Sequence, residues 1–392
     1  LQLKKECGIL KSLKTLRNTA MKVSTFLGFT QEKIEFVLNG RDLSDREKEL
    51  LLFFDLLFLG NFISVPASTG RPRSSRVSLL KAFIVKAALN ITENKQLREV
   101  LSGNSELHKI CGWTESKEIP SLPTFSRVFK EFAEMKVAEK IHEKLIKTAL
   151  KDSIIGHVSR DASSITAREK PIKKAKKIKK KPGKRGRPKK GTLPKKKELT
   201  RIQKQVNLEL DEIMKDIPTA CDYGYKTGSD GNPLYWIGYK LHADWSDEGI
   251  PLSYIVSSAS LHDSQVSIPL TTISSGKATY LYELMDAGYD APEIDEICRK
   301  YKHIPIIKPN KRRSENPRTL DPAERRRYRE RTTAERGFAA LKDDFRIDKS
   351  RFRGNDKIAS HIGFSMIVLT LRKLLQYSKK FPFVEQTLKE VA

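Results

Sequence analysis

Cysteine is scarce: four in 392 residues (Cys7, Cys111, Cys221 and Cys298), scattered and without a C-x-x-C pair. That usage excludes a disulfide framework and a zinc site built on paired thiolates, and it suits a reducing compartment. The seven histidines have no metal-ligand spacing, and no G-x-S-x-G elbow is present, so His-based metal chemistry and a serine nucleophile both lack a frame. Leu1 to Leu10 carry Lys4, Lys5 and Glu6 and no apolar h-region, so a secretory signal is not expected there. Long apolar runs are also missing. The stretch Leu50 to Val65 is broken by Asp55, Gly60 and Asn61 and is shorter than the roughly 20 residues of a bilayer span, so it reads as buried helix.

Acids are in deficit, with 48 Asp+Glu against 75 Lys+Arg, a formal charge of +27. A field of that sign selects a polyanion, nucleic acid before an anionic membrane. Much of the excess sits between Arg168 and Lys204, where nineteen basic residues face only Glu169 and Glu198. Such a block repels itself and buries little apolar surface, so a disordered insertion is expected over 168–207. Its centre, Gly183-Lys184-Arg185-Gly186-Arg187-Pro188, resembles the AT-hook, which would place Arg185 and Arg187 in an A·T-rich minor groove. Plain phosphate attraction by a solvated linker is the other reading.

Before residue 150 the apolar spacing is helical, over Val77–Leu89, Leu97–Leu107 and Phe125–Leu150. The last of these presents Ser126, Arg127, Lys130 and Lys136, a face suited to a DNA groove or simply to solvent. After residue 150 the pattern changes. Strands are expected at Ile154–Arg160, Leu234–Trp245, Ile250–Ala259, Ala278–Met285 and His303–Ile307, with helices at Ser264–Ile273, Ala291–Tyr301 and Ala323–Phe345. The order is β, insertion, β, β, α, β, α, β, α.

Three acids hold special places in that order: Asp161 at the end of the first strand, Asp286 just after the fourth, and Glu335 within the last helix. Converging carboxylates at a sheet rim suit a pair of hard divalent cations acting on a phosphodiester. Asp222, Asp244, Asp263 and Asp290 compete for the role, and His262-Asp263 reads better as a structural hydrogen-bonding element. At 100° per residue, Tyr328, Arg331, Glu335 and Lys342 share one helix face, unusual for a core and reasonable against DNA.

The spacing Tyr328-x2-Arg331-x3-Glu335-x6-Lys342 resembles the Y-R-E-K signature of bacterial insertion-sequence transposases of the Asp-Asp-Glu type. Asp161-Ala162-Ser163-Ser164, Gly238-Tyr239-Lys240-Leu241-His242, His262-Asp263-Ser264 and Asp286-Ala287-Gly288-Tyr289-Asp290 resemble the same group, across about residues 155–365. The segment Gly70 to Lys130 resembles, more loosely, the helical N-terminal region of such proteins.

The resemblance implies an α/β, RNase H-like mixed-sheet core in which Asp161, Asp286 and Glu335 hold two Mg²⁺ or Mn²⁺ ions. Tyr328, Arg331 and Lys342 would hold the transposon end. It further implies double-stranded DNA as partner, both terminal inverted repeats and target, a homodimer on DNA, no membrane, and a cytoplasmic, nucleoid-associated location. The expected organisation is an N-terminal helical segment (1–66), a helical DNA-binding region (67–150), the catalytic domain (151–350) and a C-terminal helical tail (351–392). A non-catalytic DNA-binding derivative and a nuclease without strand transfer stand as alternatives.

Overall fold

The computed structural model describes residues 43–63, 73–151, 153–173, 198–228, 230–310 and 318–378. Arg185, Arg187 and most of the basic insertion lie outside them. Its two margins are described and have defined structure: Glu169 accepts hydrogen bonds from Tyr239 Oη and from the Gly354 amide, and Arg201–Gln205 forms a short helix.

Among the described residues six helices precede the sheet: α1 (Asp45–Leu57), α2 (Arg76–Ala88), α3 (Asn94–Gly103), α4 (Ser105–Cys111), α5 (Leu122–Glu134) and α6 (Val137–Ala149). Ser44 and Glu47 close a reciprocal capping box that starts α1, and Phe58 ends it in the left-handed region at φ 45°. The expected helix Phe125–Leu150 is two helices. Lys136 takes a left-handed φ of 52° between them, which turns α6 back instead of prolonging α5.

Beyond residue 150 run β1 (Ile154–Thr166), α7 (Arg201–Gln205), α8 (Leu210–Asp216), β2 (Asp222–Thr227), β3 (Pro233–Ser246), β4 (Pro251–Ser258), α9 (Ser264–Ser275), β5 (Thr279–Met285), α10 (Pro292–Lys300), β6 (Ile304–Ile307), α11 (Pro322–Tyr328), α12 (Thr332–Asp343) and α13 (Asn355–Gln376). The six strands form one mixed sheet. β1 is antiparallel to β3 and parallel to β5, β6 continues parallel beyond β5, and β2 and β4 both pair with β3. This is the mixed α/β architecture expected of an RNase H-like core. β2 is an addition to the expected strand order. It escapes the strand pattern because four of its six residues are exposed, so it carries no apolar run.

Consecutive β1 side chains point to opposite faces of the sheet. Arg160 reaches into α9, and Asp161 reaches toward the turn that precedes α12. On the Asp161 side, α12 lies so close that a Cβ on Gly337 would stand 2.5 Å from the Trp245 ring, and Phe338 meets that ring edge-on. Only glycine lets α12 sit at that distance from β3.

The segment expected as a C-terminal tail holds α13, which is no appendage. It packs against α2, α5 and α6, and Phe364 joins Phe83, Phe125, Phe129 and Phe132 in one aromatic cluster that is continuous with the sheet's inner face. His142 of α6 hydrogen-bonds Thr370 of α13 at 3.2 Å inside this core. α13, and not Leu50–Val65, is the described helix long and apolar enough to cross a membrane by length and composition, yet most of that stretch is buried in the fold.

Candidate active site

Asp161 stands in the middle of β1, paired with Ala243, and not at a strand end as its short apolar run suggested. The strand outlasts that run because Ala162–Thr166 keep their ladder partners on β3 although, Ile165 apart, they are partly buried or exposed. Asp161 Oδ1 accepts from the Ala162 amide at 2.8 Å, and Oδ2 accepts from Arg331 Nη1 at 3.2 Å. Burial, and then the nearby carboxylates of Asp286 and Asp263, push its carboxyl up to about 6 against the pull of the Ala162 amide and Arg331.

Asp286 directly follows β5, as expected. It caps the short helical turn Ala287–Tyr289, accepting from the Gly288 amide at 2.9 Å. Because β5 is parallel to β1 and hydrogen-bonded to it, Asp286 emerges beside Asp161 at the same end of the sheet.

Glu335 is not in the middle of one long helix. The expected helix Ala323–Phe345 is divided into α11 and α12 by a 3₁₀ turn, Arg329–Arg331, which puts Glu335 in the first turn of α12. Side chains take carbonyls that an unbroken helix would use: Ser159 Oγ donates to Glu330 O at 3.3 Å, and Thr332 Oγ1 to Arg329 O at 3.2 Å. α11 is docked on the sheet by Arg327, whose guanidinium lies 3.7 Å from the Tyr282 ring centroid on β5.

The turn changes the expected common face, though part of it survives. Arg331 Nη2 donates to Glu335 Oε1 at 2.6 Å and its guanidinium lies 5.9 Å from the Tyr328 ring centroid. Arg331 therefore ties Tyr328, Glu335 and Asp161 together. Lys342 lies about two turns further along α12 and has no ion-pair partner among the described residues. Burial, and then the neighbouring Lys226 of β2, lower its pKa.

The donor chemistry suits a hard divalent cation: carboxylates only, with an excess of negative charge around Asp161. The side chains are not drawn around a common point. Among the described residues no three His, Cys, Asp or Glu cluster closely enough to hold a metal ion, and the Arg331 guanidinium stands between Asp161 and Glu335 instead.

The competing acids separate by environment. Asp244 is fully buried and forked to Arg160 at 2.7 and 2.8 Å, so neither oxygen is open to a ligand. Asp290 accepts from the Asn310 amide, and Asp222 is buried at the start of β2. Asp263 pairs with Lys240 at 2.8 Å, which brings the Gly238–His242 and His262–Ser264 segments together in space.

One feature beneath the site left little trace in the sequence pattern. Arg160, wholly buried next to Asp161, binds Asp244, Glu283, Ser267 and Thr271, and Glu283 in turn meets Tyr280 and His303. Burial raises the Glu283 carboxyl, but Arg160 and then His303 and Tyr280 outweigh it and hold the group down at about 2. Arg160 thereby fastens β1 to β3 and β5, the strands that carry or precede Asp161 and Asp286. The only available signal is a basic residue in the middle of a strand.

Residues 152–371 match the family described as "Transposase DDE domain", and residues 42–131 match "Transposase domain (DUF772)". The first match spans more than half of the chain, from β1 into α13, and the chain belongs to the DDE transposase family as an insertion-sequence transposase. DNA is accordingly its partner. Comparison with curated proteins and with solved structures gave no match.

Proposed function

We propose that this transposase binds the ends of its own insertion sequence, cuts DNA there and joins the freed 3′-OH to target DNA. Asp161, Asp286 and Glu335 would hold two Mg²⁺ or Mn²⁺ ions. The observation that carries the reading is the meeting, through Arg331, of Asp161 and Glu335 from distant parts of the chain, with the Asp286 charge acting on Asp161. Bound ions of this kind supply Lewis acidity, activating an attacking oxygen and stabilising a leaving one.

In the first reaction a water oxygen forms a bond to the scissile phosphorus and the P–O3′ bond breaks, leaving a 3′-OH and a 5′-phosphate. In the second, that 3′-oxygen attacks a target phosphorus, a target P–O3′ bond breaks, and the proton count is unchanged. Tyr328, Arg331 and Lys342 position the transposon end. Arg185 and Arg187 add phosphate or minor-groove attraction from the basic segment, which lies outside the described residues. In the free protein Arg331 serves as counter-cation to Asp161 and Glu335, so loading the site requires the guanidinium to give up at least one carboxylate, and the scissile phosphate is its natural next partner. The active species is a homodimer on DNA at the nucleoid.

The test uses a duplex from the DNA flanking the coding region. Asp161→Asn, Asp286→Asn and Glu335→Gln should each abolish nicking and joining in Mg²⁺ with binding nearly intact, because a carboxylate is lost and no phosphate-contacting cation is. Wild-type cleavage in two of the three variants overturns the assignment. Nicking without joining by the unaltered protein would make it a nuclease.

A further inference from the structure

β2 and the first part of β3 extend the sheet as a two-stranded ribbon. β1 pairs with β3 only from Gly238 onward and β4 only from Tyr239 onward, so the pairs Tyr223–Ile237, Tyr225–Tyr235 and Lys226–Leu234 have no strand beyond them. Directly paired residues share a face of the ribbon. One face therefore carries Tyr223, Tyr225 and Tyr235, which are 59%, 57% and 71% exposed, with the last two rings 5.3 Å apart.

The ribbon is built to keep its shape. On its other face the Trp236 ring lies directly over Gly224, where a Cβ would stand 2.3 Å from ring atoms, and the indole N–H donates to Tyr239 O at 3.0 Å. A cross-strand Trp–Gly pair of this kind stiffens two strands that would otherwise be marginal alone. Three large aromatic side chains on a rigid projection, none of them in the core, are a surface awaiting a partner.

The charge beside the ribbon identifies that partner. Lys226 is exposed on β2, and its ammonium lies near enough to Lys342 of α12 to disfavour the charged form there. Neither lysine has an ion-pair partner among the described residues. Lys226, paired with Leu234, belongs to the Trp236 face of the edge strand, and at Lys342 its charge counts for more than either nearby carboxylate, Asp348 or Asp343; this pair of cations at the margin of the tyrosine face complements a phosphate backbone with its sugars. A two-stranded ribbon is also of a width that a DNA major groove admits.

We infer that the β2–β3 ribbon is a DNA-binding arm, engaging duplex DNA through Tyr223, Tyr225, Tyr235 and Lys226 next to Lys342. The inference rests on the proposed DNA cleavage at Asp161, Asp286 and Glu335 for its location, and it adds a contact surface that α11 and α12 do not contain. It also gives Lys342 a local role, as the cation at which ribbon and helix meet the same stretch of backbone.

The test places a photo-crosslinking benzoyl-phenylalanine at position 235 in the full chain and irradiates it with the duplex from the flanking DNA. The crosslink should go to DNA. A crosslink to a second copy of the chain, or none, overturns the inference. Alongside it, Lys226→Ala and the Tyr223→Ser/Tyr225→Ser/Tyr235→Ser variant, checked for native circular dichroism, are titrated with that duplex across salt. Lys226→Ala should reduce the slope of log K against log salt by about 0.9, one phosphate contact; an unchanged slope in Lys226→Ala and unchanged affinity in the tyrosine variant count against the arm. Carrying Asp161→Asn in the crosslinking protein separates the two claims. Loss of the crosslink while Asp161→Asn abolishes nicking refutes the arm alone, whereas persistent nicking in Asp161→Asn refutes the active-site reading whatever position 235 touches.

Discussion

Arg331 and Glu335 are joined by a 2.6 Å hydrogen bond one helical turn apart, and the second guanidinium nitrogen of Arg331 reaches Asp161 across the sheet. One side chain thus holds two of the three acids proposed to bind the ions and lies against Tyr328 as well.

Replacing Arg331 should therefore act on geometry before affinity. In Arg331→Ala, single-turnover nicking at saturating protein should fall on the order of 100-fold, the cost of misplacing a reacting phosphate by about 1 Å. Filter binding of the same duplex should change little, since Arg331 is one cation among many. Arg331→Lys should recover only part of the rate, because a lysine lacks the planar fork that meets two carboxylates. Equal losses in rate and binding would make Arg331 an ordinary phosphate contact.

Arg160 makes a different prediction. It is fully buried, and Asp244 and Glu283 depend on it for compensation. Arg160→Met leaves buried Asp244 without its cation and Glu283 with His303 alone, and should cost about 3–5 kcal/mol in denaturant unfolding, more than Glu283→Gln, which retains hydrogen bonding. A loss under about 1 kcal/mol would show that the strands are fastened by other means.

Asp55 offers a test of stability against pH. Its carboxylate is buried in α1, both oxygens lack a hydrogen-bond partner among the described residues, and burial pushes the group up to about 7, with Lys81 pulling the other way. The folded state binds the proton more tightly than the unfolded state, so stability falls as pH rises from about 4 to about 7, by at most about 4 kcal/mol. Asp55→Asn should raise Tm at pH 8 relative to the unaltered protein, and this advantage should shrink toward pH 4. A Tm difference independent of pH would remove Asp55 from the pH response.

The sequence patterns reveal some of these features and hide others for physical reasons. β3 and β4 are legible because Leu234–Trp245 and Ile250–Ala259 are rich in aromatic and aliphatic residues, as strands buried over most of their length require. β2 is not, since its tyrosines face outward and its buried positions are Asp222 and Gly224. Asp161, Asp286 and Glu335 stand out as candidates through spacing, whereas the break at Arg329–Arg331 is accompanied by a hydrogen bond from Ser159, a residue 171 positions away that no local pattern includes. The Arg160 network is hidden for the same reason: its partners come from β3, α9 and β5, and only the fold brings them to one place.

The position of α13 also bears on how the protein is made. Phe83 and its aromatic neighbours in α5 are completed by Phe364, so helices synthesised early keep an open apolar seam until a segment about two hundred residues later leaves the ribosome. At about 5–20 residues per second that wait is roughly 10–40 s. During it the nascent chain carries exposed phenylalanines, a substrate for chaperones and proteases, and any message cut short before Asn355 yields a polypeptide that cannot close its first layer. The last long described helix thus makes translation through α13 a condition of closing the first layer.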